Sequence, residues 1–157
     1  ACREVLDYVT LDELLAQSDI VSLHVPYFPG QNDKMANAEF FSKMKDGSIF
    51  LNTARGELQD NEAILAALKS GKLDGYGTDV FANETSFFFK KLASAAEISD
   101  PTVRELVQMY PKVLVTPHIG SNTDEALSNM IEISYDNLND MLTKGSTANA
   151  IELPKAN

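Results

Sequence analysis

Apolar residues along this chain come in short, nearly continuous runs, separated by stretches in which they recur at helical spacing. The runs are "DIVSLHV" (19–25), "SIFLNT" (48–53), "LDGYGTDV" (73–80) and "KVLVTP" (112–117). A near-continuous apolar run of this length predicts a strand buried on both faces. "DYV" reads as a further strand end, followed by an N-cap at Thr10 and a short helix. Thr10 with Glu13 fits a capping box, in which each side chain answers the other residue's backbone N–H. "NAEFFSKM" reads as a helix closed by Gly47. "DNEAILAALKSG" places Ile64, Leu65 and Leu68 on one face and stops at Gly71. "DPTVRELVQMY" opens with Pro101 near the first helical position, where its missing N–H costs nothing. A long helix is expected from Thr123 to Lys144 with Gly145 as its stop, then a loosely held tail. Residues 81–100 are irregular and long for a plain loop. Strands that alternate with helices predict an α/β fold, a parallel sheet with flanking helices on both faces.

Charge narrows the partners. The 157 residues carry 13 basic and 23 acidic side chains, a net charge of −10. Such a surface repels nucleic acid and anionic membrane. An anionic small substrate would need a local cation to hold it. The single cysteine, Cys2, excludes a disulfide within the chain and fits a reducing cytoplasm. No run approaches the roughly 20 apolar residues that cross a bilayer. The opening "ACREVLDYV" has neither an initiator Met nor a signal-peptide layout, so the chain is expected to begin inside a longer one.

In an open parallel sheet, ligands sit at the C-terminal ends of the strands. There the sequence sets His24, Val25 and Pro26; Thr53, Ala54, Arg55 and Gly56; Asp79 and Glu84; and His118, Gly120 and Ser121. Arg55 has two readings. Its guanidinium is a planar fork suited to a carboxylate, or it makes a surface ion pair near a helix start, where a cation opposes the helix dipole. His118 is either a proton carrier or a loop histidine bonded to its surroundings. A carboxylate such as Glu84 beside an imidazole raises its pKa and fixes its tautomer; alone, Glu84 reads as a solvated loop acid. Asp79 is a turn former or an acceptor for an amide ligand. His24 reads as a core or strand-end histidine. Phe87, Phe88 and Phe89 pack a lobe onto the core or line an apolar pocket. Arg55, Glu84 and His118 divide labour well: one holds a carboxylate, one moves a proton, one tunes the proton carrier. None accepts a hydride, so a redox reading needs a cofactor.

"LHVP", "NTARGEL", "GYGTDVFANE" and "VLVTPHIGSNT" stand in the order and spacing of the D-2-hydroxyacid dehydrogenases, and the resemblance runs from about residue 8 to 145. The insertion "NETSFFFKKL" resembles the D-lactate and D-2-hydroxyisocaproate branch, while "PHIGSNT" is more similar to the glycerate and phosphoglycerate branch. The resemblance implies that Arg55 binds the substrate's carboxylate and carbonyl oxygen, that His118 is the acid/base and that Glu84 pairs with it; Gly56, next to Arg55, then leaves the backbone room for a turn. It implies NAD as cofactor, lined by Val25, Pro26, Asn32, Thr53, Ala54, Arg55, His118 and Gly120, with Asp79 toward the nicotinamide. The hydride would pass between nicotinamide C4 and substrate C2 of a D-2-hydroxy acid/2-keto acid pair, D-lactate and pyruvate foremost. No metal is implied. A homodimer is expected of the full protein, in the cytoplasm.

Two departures stand out. Gln59 replaces an aliphatic residue usual in the family, an exchange expected to be tolerated. None of the eight glycines forms G-x-G-x-x-G, the turn that cradles the cofactor's phosphates. Residues 1–122 are therefore expected to be the C-terminal half of a Rossmann-type NAD-binding domain. Residues 123–157 would be a helix and tail leading back to an absent substrate domain. Such a fragment is expected to be inactive alone, with apolar surface exposed where the first half docks. The alternative function is an NAD-sensing, non-enzymatic corepressor of the same fold. A hydrolase using Ser121 or Thr123 lacks a G-x-S-x-G elbow, and a phospho-receiver domain lacks the acidic cluster after an early strand.

Overall fold

The computed structural model describes residues 6–151. They divide into two compact units that meet at Ile119 and Gly120. The first unit contains α1 (Leu11–Gln17), β1 (Ile20–Leu23), α2 (Ala38–Lys43), β2 (Ser48–Asn52), α3 (Asn61–Ser70), β3 (Leu73–Thr78), α4 (Pro101–Gln108) and β4 (Val113–Val115), with 3-10 turns at Gly56–Leu58, Glu84–Ser86 and Ala95–Glu97. The second contains α5 (Asp124–Lys144). Cys2 lies outside the described residues.

The four strands form one parallel sheet in the order β1-β2-β3-β4. Helix ends follow local chemistry. Thr10 Oγ1 accepts from Glu13 N at 3.3 Å and Glu13 Oε2 accepts from Thr10 N at 2.9 Å, the reciprocal capping box. Asp60 and Asp100 cap α3 and α4 more simply, each accepting from two backbone N–H groups of the first turn, and Pro101 opens α4. Gly71 ends α3 at φ 78°, a left-handed turn that only glycine takes without strain.

One face of the sheet carries the core. Val21, Phe50, Tyr76 and Val113 are register neighbours across all four strands, and all are buried. Phe50 stacks on Tyr76 at 5.9 Å between ring centroids, and Phe40 and Phe41 from α2 meet Phe50 edge-on. A fully buried aromatic of this kind contributes about 1.5–3 kcal/mol. Phe81, Phe87 and Phe88 form a second edge-to-face cluster.

Several expectations need correcting. The strands are buried on one face, not two: Ile20, Ile49 and Leu114 on the opposite face are exposed, and no helix of this unit covers them. β1 stops at Leu23, so His24 and Val25 lie beyond the strand, and 7–9 form no strand. β3 and β4 also end earlier than the apolar runs that predict them. Gly47 is not the stop of α2, which is capped at Met44; it turns the chain into β2 at φ 74° and donates to the Lys72 carbonyl at 3.0 Å. Phe89 only touches Phe88 edge-on, at 6.4 Å between ring centroids, and is otherwise 79% exposed, in a left-handed conformation.

In the second unit, Thr123 caps α5 and Gly145 ends it. α5 buries none of its residues. The start of the tail is tied down, not loose: Thr147 Oγ1 and Asn149 Nδ2 both donate to Asn137 Oδ1, at 2.6 and 2.9 Å. The tail beyond 151 lies outside the described residues. Among those residues no helix is long and apolar enough to cross a membrane.

Candidate active site

Two cavities open at the C-terminal ends of the strands, and Arg55 lines both. The first, about 550 Å³, lies between His24–Tyr27 after β1 and Thr53–Arg55 after β2. Its two walls are laced together at main-chain level. Lys34 N donates to the Glu57 carbonyl at 2.8 Å, Ala36 N to Leu58 at 2.9 Å, and Asp60 N to Ala36 at 3.0 Å. The post-β1 loop is also bonded within itself. Asn32 accepts from Phe28 N at 2.8 Å and donates to the Pro26 carbonyl at 2.9 Å. Asn32 thereby shapes the wall without lining the cavity. The Tyr27 hydroxyl donates to Asp33, whose other oxygen accepts from Gly30 N. That bond holds the Asp33 carboxyl below its ordinary pKa and pushes the Tyr27 phenol above its own.

The second cavity, about 360 Å³, brings Arg55, Glu84 and His118 together, with Glu57, Asn83 and Thr85. His118 Nδ1 pairs with Glu84 Oε1. Glu84 Oε2 accepts from Phe81 N at 3.0 Å, so both carboxylate oxygens are fixed. Asn83 and His118 adopt left-handed backbone conformations at φ 57° and 51°. Such conformations cost about 1–3 kcal/mol each for a residue with a side chain, and they collect at functional sites.

Arg55 is exposed, and its Nη1 donates to the Ala54 carbonyl at 2.7 Å. Among the described residues no carboxylate lies within ion-pair distance of it, so the surface ion-pair reading fails. Gly56 is required by a close approach and not, as the sequence suggests, by a turn. A Cβ there would lie 2.0 Å from Phe81 C and 2.1 Å from Ala82 N. Main chain passes main chain, which sets Arg55 against the segment that carries Glu84.

Asp79 is buried and lines neither cavity. Its Oδ1 accepts from Thr116 Oγ1 at 2.6 Å and Ile119 N at 3.0 Å, clasping the segment around His118 from both sides. His24 is exposed, not a core histidine, and shares a hydrogen bond with Ser22 Oγ at 2.9 Å. None of Phe87, Phe88 and Phe89 lines either cavity. Gly120 belongs to the second unit.

Sequence reasoning missed the buried support. Asn52 Nδ2 donates to the Arg55 carbonyl at 2.9 Å and to Gln59 Oε1 at 2.8 Å, while its Oδ1 accepts from Ala54 N at 3.0 Å. Gln59 is 3% exposed and donates to Asn61 Oδ1 at 3.1 Å. The amide that departs from an aliphatic pattern is thus satisfied by amides on both sides. Two amides within seven residues of Arg55, at positions where an apolar run would continue, were the available signal. Glu57 was likewise overlooked in the second cavity. Among the described residues no group of three His, Cys, Asp or Glu side chains is placed to hold a metal ion.

The chain is similar to known proteins over most of its length. Residues 2–120 match the family described as D-isomer specific 2-hydroxyacid dehydrogenase, NAD binding domain. The chain is 43% identical over 148 residues to the D-2-hydroxyacid dehydrogenase (NAD+) of Lacticaseibacillus paracasei, a match covering 94% of this chain and 44% of that protein. It is 40% identical over 147 residues to the aromatic 2-oxoacid reductase of Clostridium sporogenes, with the same coverage of 94% and 44%. Among solved structures, D-lactate dehydrogenase with NAD+ from Lactobacillus jensenii superposes with a TM-score of 0.84 at 35% identity, over 97% of this chain and 44% of that one. The chain spans less than half the length of these relatives.

Proposed function

The chain belongs to the D-isomer specific 2-hydroxyacid dehydrogenases, and we propose that it supplies the C-terminal half of the cofactor domain of an NAD-dependent enzyme that interconverts a D-2-hydroxy acid and its 2-keto acid, with D-lactate and pyruvate as the pair. The observation that carries this reading is the shared cavity in which Arg55 faces the His118–Glu84 pair.

The residues fit the cofactor in part. Val25, Pro26, Tyr27 and Ala54 offer apolar and aromatic faces for a flat ring, and the exposed main chain between them offers polar edges. The phosphate-cradling glycine turn is absent from this sequence, so the fit concerns the nicotinamide end alone. When bound there, NAD supplies the two-electron donor or acceptor. Arg55 holds the substrate carboxylate with its planar fork and reaches the 2-oxygen. His118 gives a proton to that oxygen during reduction and takes it back during oxidation. Glu84 occupies Nδ1, which leaves Nε2 as the atom that moves the proton. Asp79 keeps the His118 segment in place from behind. The exposed row of Ile20, Ile49 and Leu114 is where the first half of the domain docks in this reading. The intact protein is, on the same reading, a cytoplasmic homodimer.

The test is NADH oxidation by the intact protein with pyruvate, 2-ketoisocaproate and phenylpyruvate in parallel, beside His118→Asn. Turnover that favours pyruvate and falls about 10²–10⁴-fold in the variant is expected. Preference for phenylpyruvate would keep the dehydrogenase and replace the pair. NADH binding with no turnover on any of the three would favour the NAD-sensing, non-enzymatic reading.

A further inference from the structure

The cavity that holds Arg55 and His118 has a short inventory of charge. Apart from the His118–Glu84 pair, whose charges offset one another, its lining contains one cation, Arg55, and one carboxylate, Glu57. Glu84 is committed to His118 and Phe81 N. Glu57 is held by its main chain, whose carbonyl accepts from Lys34 N at 2.8 Å, and it sits in the 3-10 turn that Arg55 opens. Gly56, pinned against the Phe81–Ala82 backbone, fixes the spacing of Arg55 and Glu57. The nearest lysine of that segment, Lys34, pairs with Asp60. The remaining polar lining, Asn83 and Thr85, is neutral.

From this inventory we propose that Glu57 is a specificity-determining residue that restricts the site to 2-keto acids with a single carboxylate and rejects 2-keto dicarboxylates. This rests on the reading above, in which Arg55 is spent on the C1 carboxylate. A second carboxylate then enters a cavity whose proton carrier, His118, is already paired with Glu84, and with Glu57 in the wall. Like charges within a Debye length repel, and salt weakens the effect because Glu57 is exposed. Rejection by shape would not depend on salt.

The experiment compares pyruvate with 2-ketoglutarate in the intact protein, its Glu57→Gln variant and its Glu57→Lys variant. The readouts are kcat/KM and, by calorimetry on the NADH-saturated protein, the dissociation constants of both keto acids. The ratio of 2-ketoglutarate to pyruvate is expected to rise about fivefold in Glu57→Gln and further in Glu57→Lys. In the unmodified protein the discrimination is expected to shrink between 0.01 and 0.15 M salt, over which the Debye length falls from about 30 to about 8 Å. A ratio unchanged in both variants would overturn the proposal, as would discrimination indifferent to salt. If the protein turns nothing over, the proposed reaction fails while the calorimetric ratio still decides the role of Glu57. Binding of neither keto acid would overturn both.

Discussion

Gly56→Ala tests whether the site is set by main chain rather than by side chains. The added Cβ would stand 2.0 Å from Phe81 C and 2.1 Å from Ala82 N, where real Cβ contacts essentially never fall below 3.0 Å. Neither neighbour is a flexible side-chain tip, so two backbone segments must part by about 1 Å. Overpacking of this kind costs about 1–3 kcal/mol, sometimes more. For a chain of this size that lowers the unfolding midpoint by about 2–12 °C. The same displacement moves Arg55 away from the segment carrying Glu84, and a misplacement of about 1 Å can cost about 10²-fold in rate. Thermal unfolding of this chain by circular dichroism and kcat/KM of the intact protein on the keto acid read the two effects separately. Gly71→Ala is the control: it meets nothing within 4 Å, but its φ of 78° makes alanine costly there. It should lose about 1 kcal/mol of stability and leave kcat/KM alone. A Gly56→Ala protein with native stability and native kcat/KM would refute the reasoning.

Two further substitutions test side-chain bonds. Tyr27→Phe removes the bond that lowers the Asp33 pKa and raises the Tyr27 pKa. The Asp33 contribution is present above its ordinary pKa and lost as pH falls through the lowered folded value. The Tyr27 contribution is present below its ordinary pKa and lost as pH rises through the raised folded value. The stability gap between wild type and variant should therefore be flat near neutrality and close at both the acidic and alkaline ends; a midpoint series showing a pH-independent gap would contradict this. Tyr76→Phe should stabilise. The Tyr76 hydroxyl is fully buried, stands near Thr78 and Gln59, and makes no hydrogen bond of good geometry, while burial pushes its pKa up. Removing an unsatisfied buried hydroxyl is worth about 1 kcal/mol, seen as a rise in midpoint of about 2–4 °C; a fall would mean that Thr78 or Gln59 does hold the hydroxyl.

Where the chain obeys local rules, its sequence was readable. Thr10 with Glu13, Pro101, Gly71, Thr123 and Gly145 mark helix ends because capping acts within a few residues. Arg55, Glu84 and His118 were readable as a set because parallel strands deliver their C-terminal ends to one edge, and a resemblance across four motifs fixed their roles as expectations. The failures are tertiary. Ile20, Ile49 and Leu114 look like core because a strand's sequence does not say which of its faces is covered. Gly56 looked like a turn residue because nothing in "ARGEL" announces that Phe81 and Ala82 pass beside it. Gln59 looked like a tolerated oddity because its partners, Asn52 and Asn61, become neighbours only when the 3-10 turn brings the chain back. The hold of Asp79 on the His118 segment was not readable either, because its bonds to Thr116 and Ile119 cross 37 and 40 positions of sequence.

A net charge of −10 on a chain proposed to bind an anion poses a question of magnitude. Six lysines, at 34, 43, 45, 69, 72 and 144, are each paired with a carboxylate. Exposed pairs of that kind add only about 0–1 kcal/mol each to stability, but they leave those cations less available to a passing anion. Arg104 points its guanidinium at the carbonyls of Ile98 and Ser99. Arg55 differs from these: it keeps clear of carboxylates and opens on two cavities at once. A carboxylate at contact, about 4 Å away in a partly screened cleft, is attracted by about 4 kcal/mol. Acids farther than about 10 Å are largely screened at physiological salt. Contact therefore outweighs the sum of the distant surface, and the net charge does not decide whether the anion binds. On the proposed reading the selection among anions is local: once the Arg55 fork is occupied, a second negative group meets Glu57 in the same cavity.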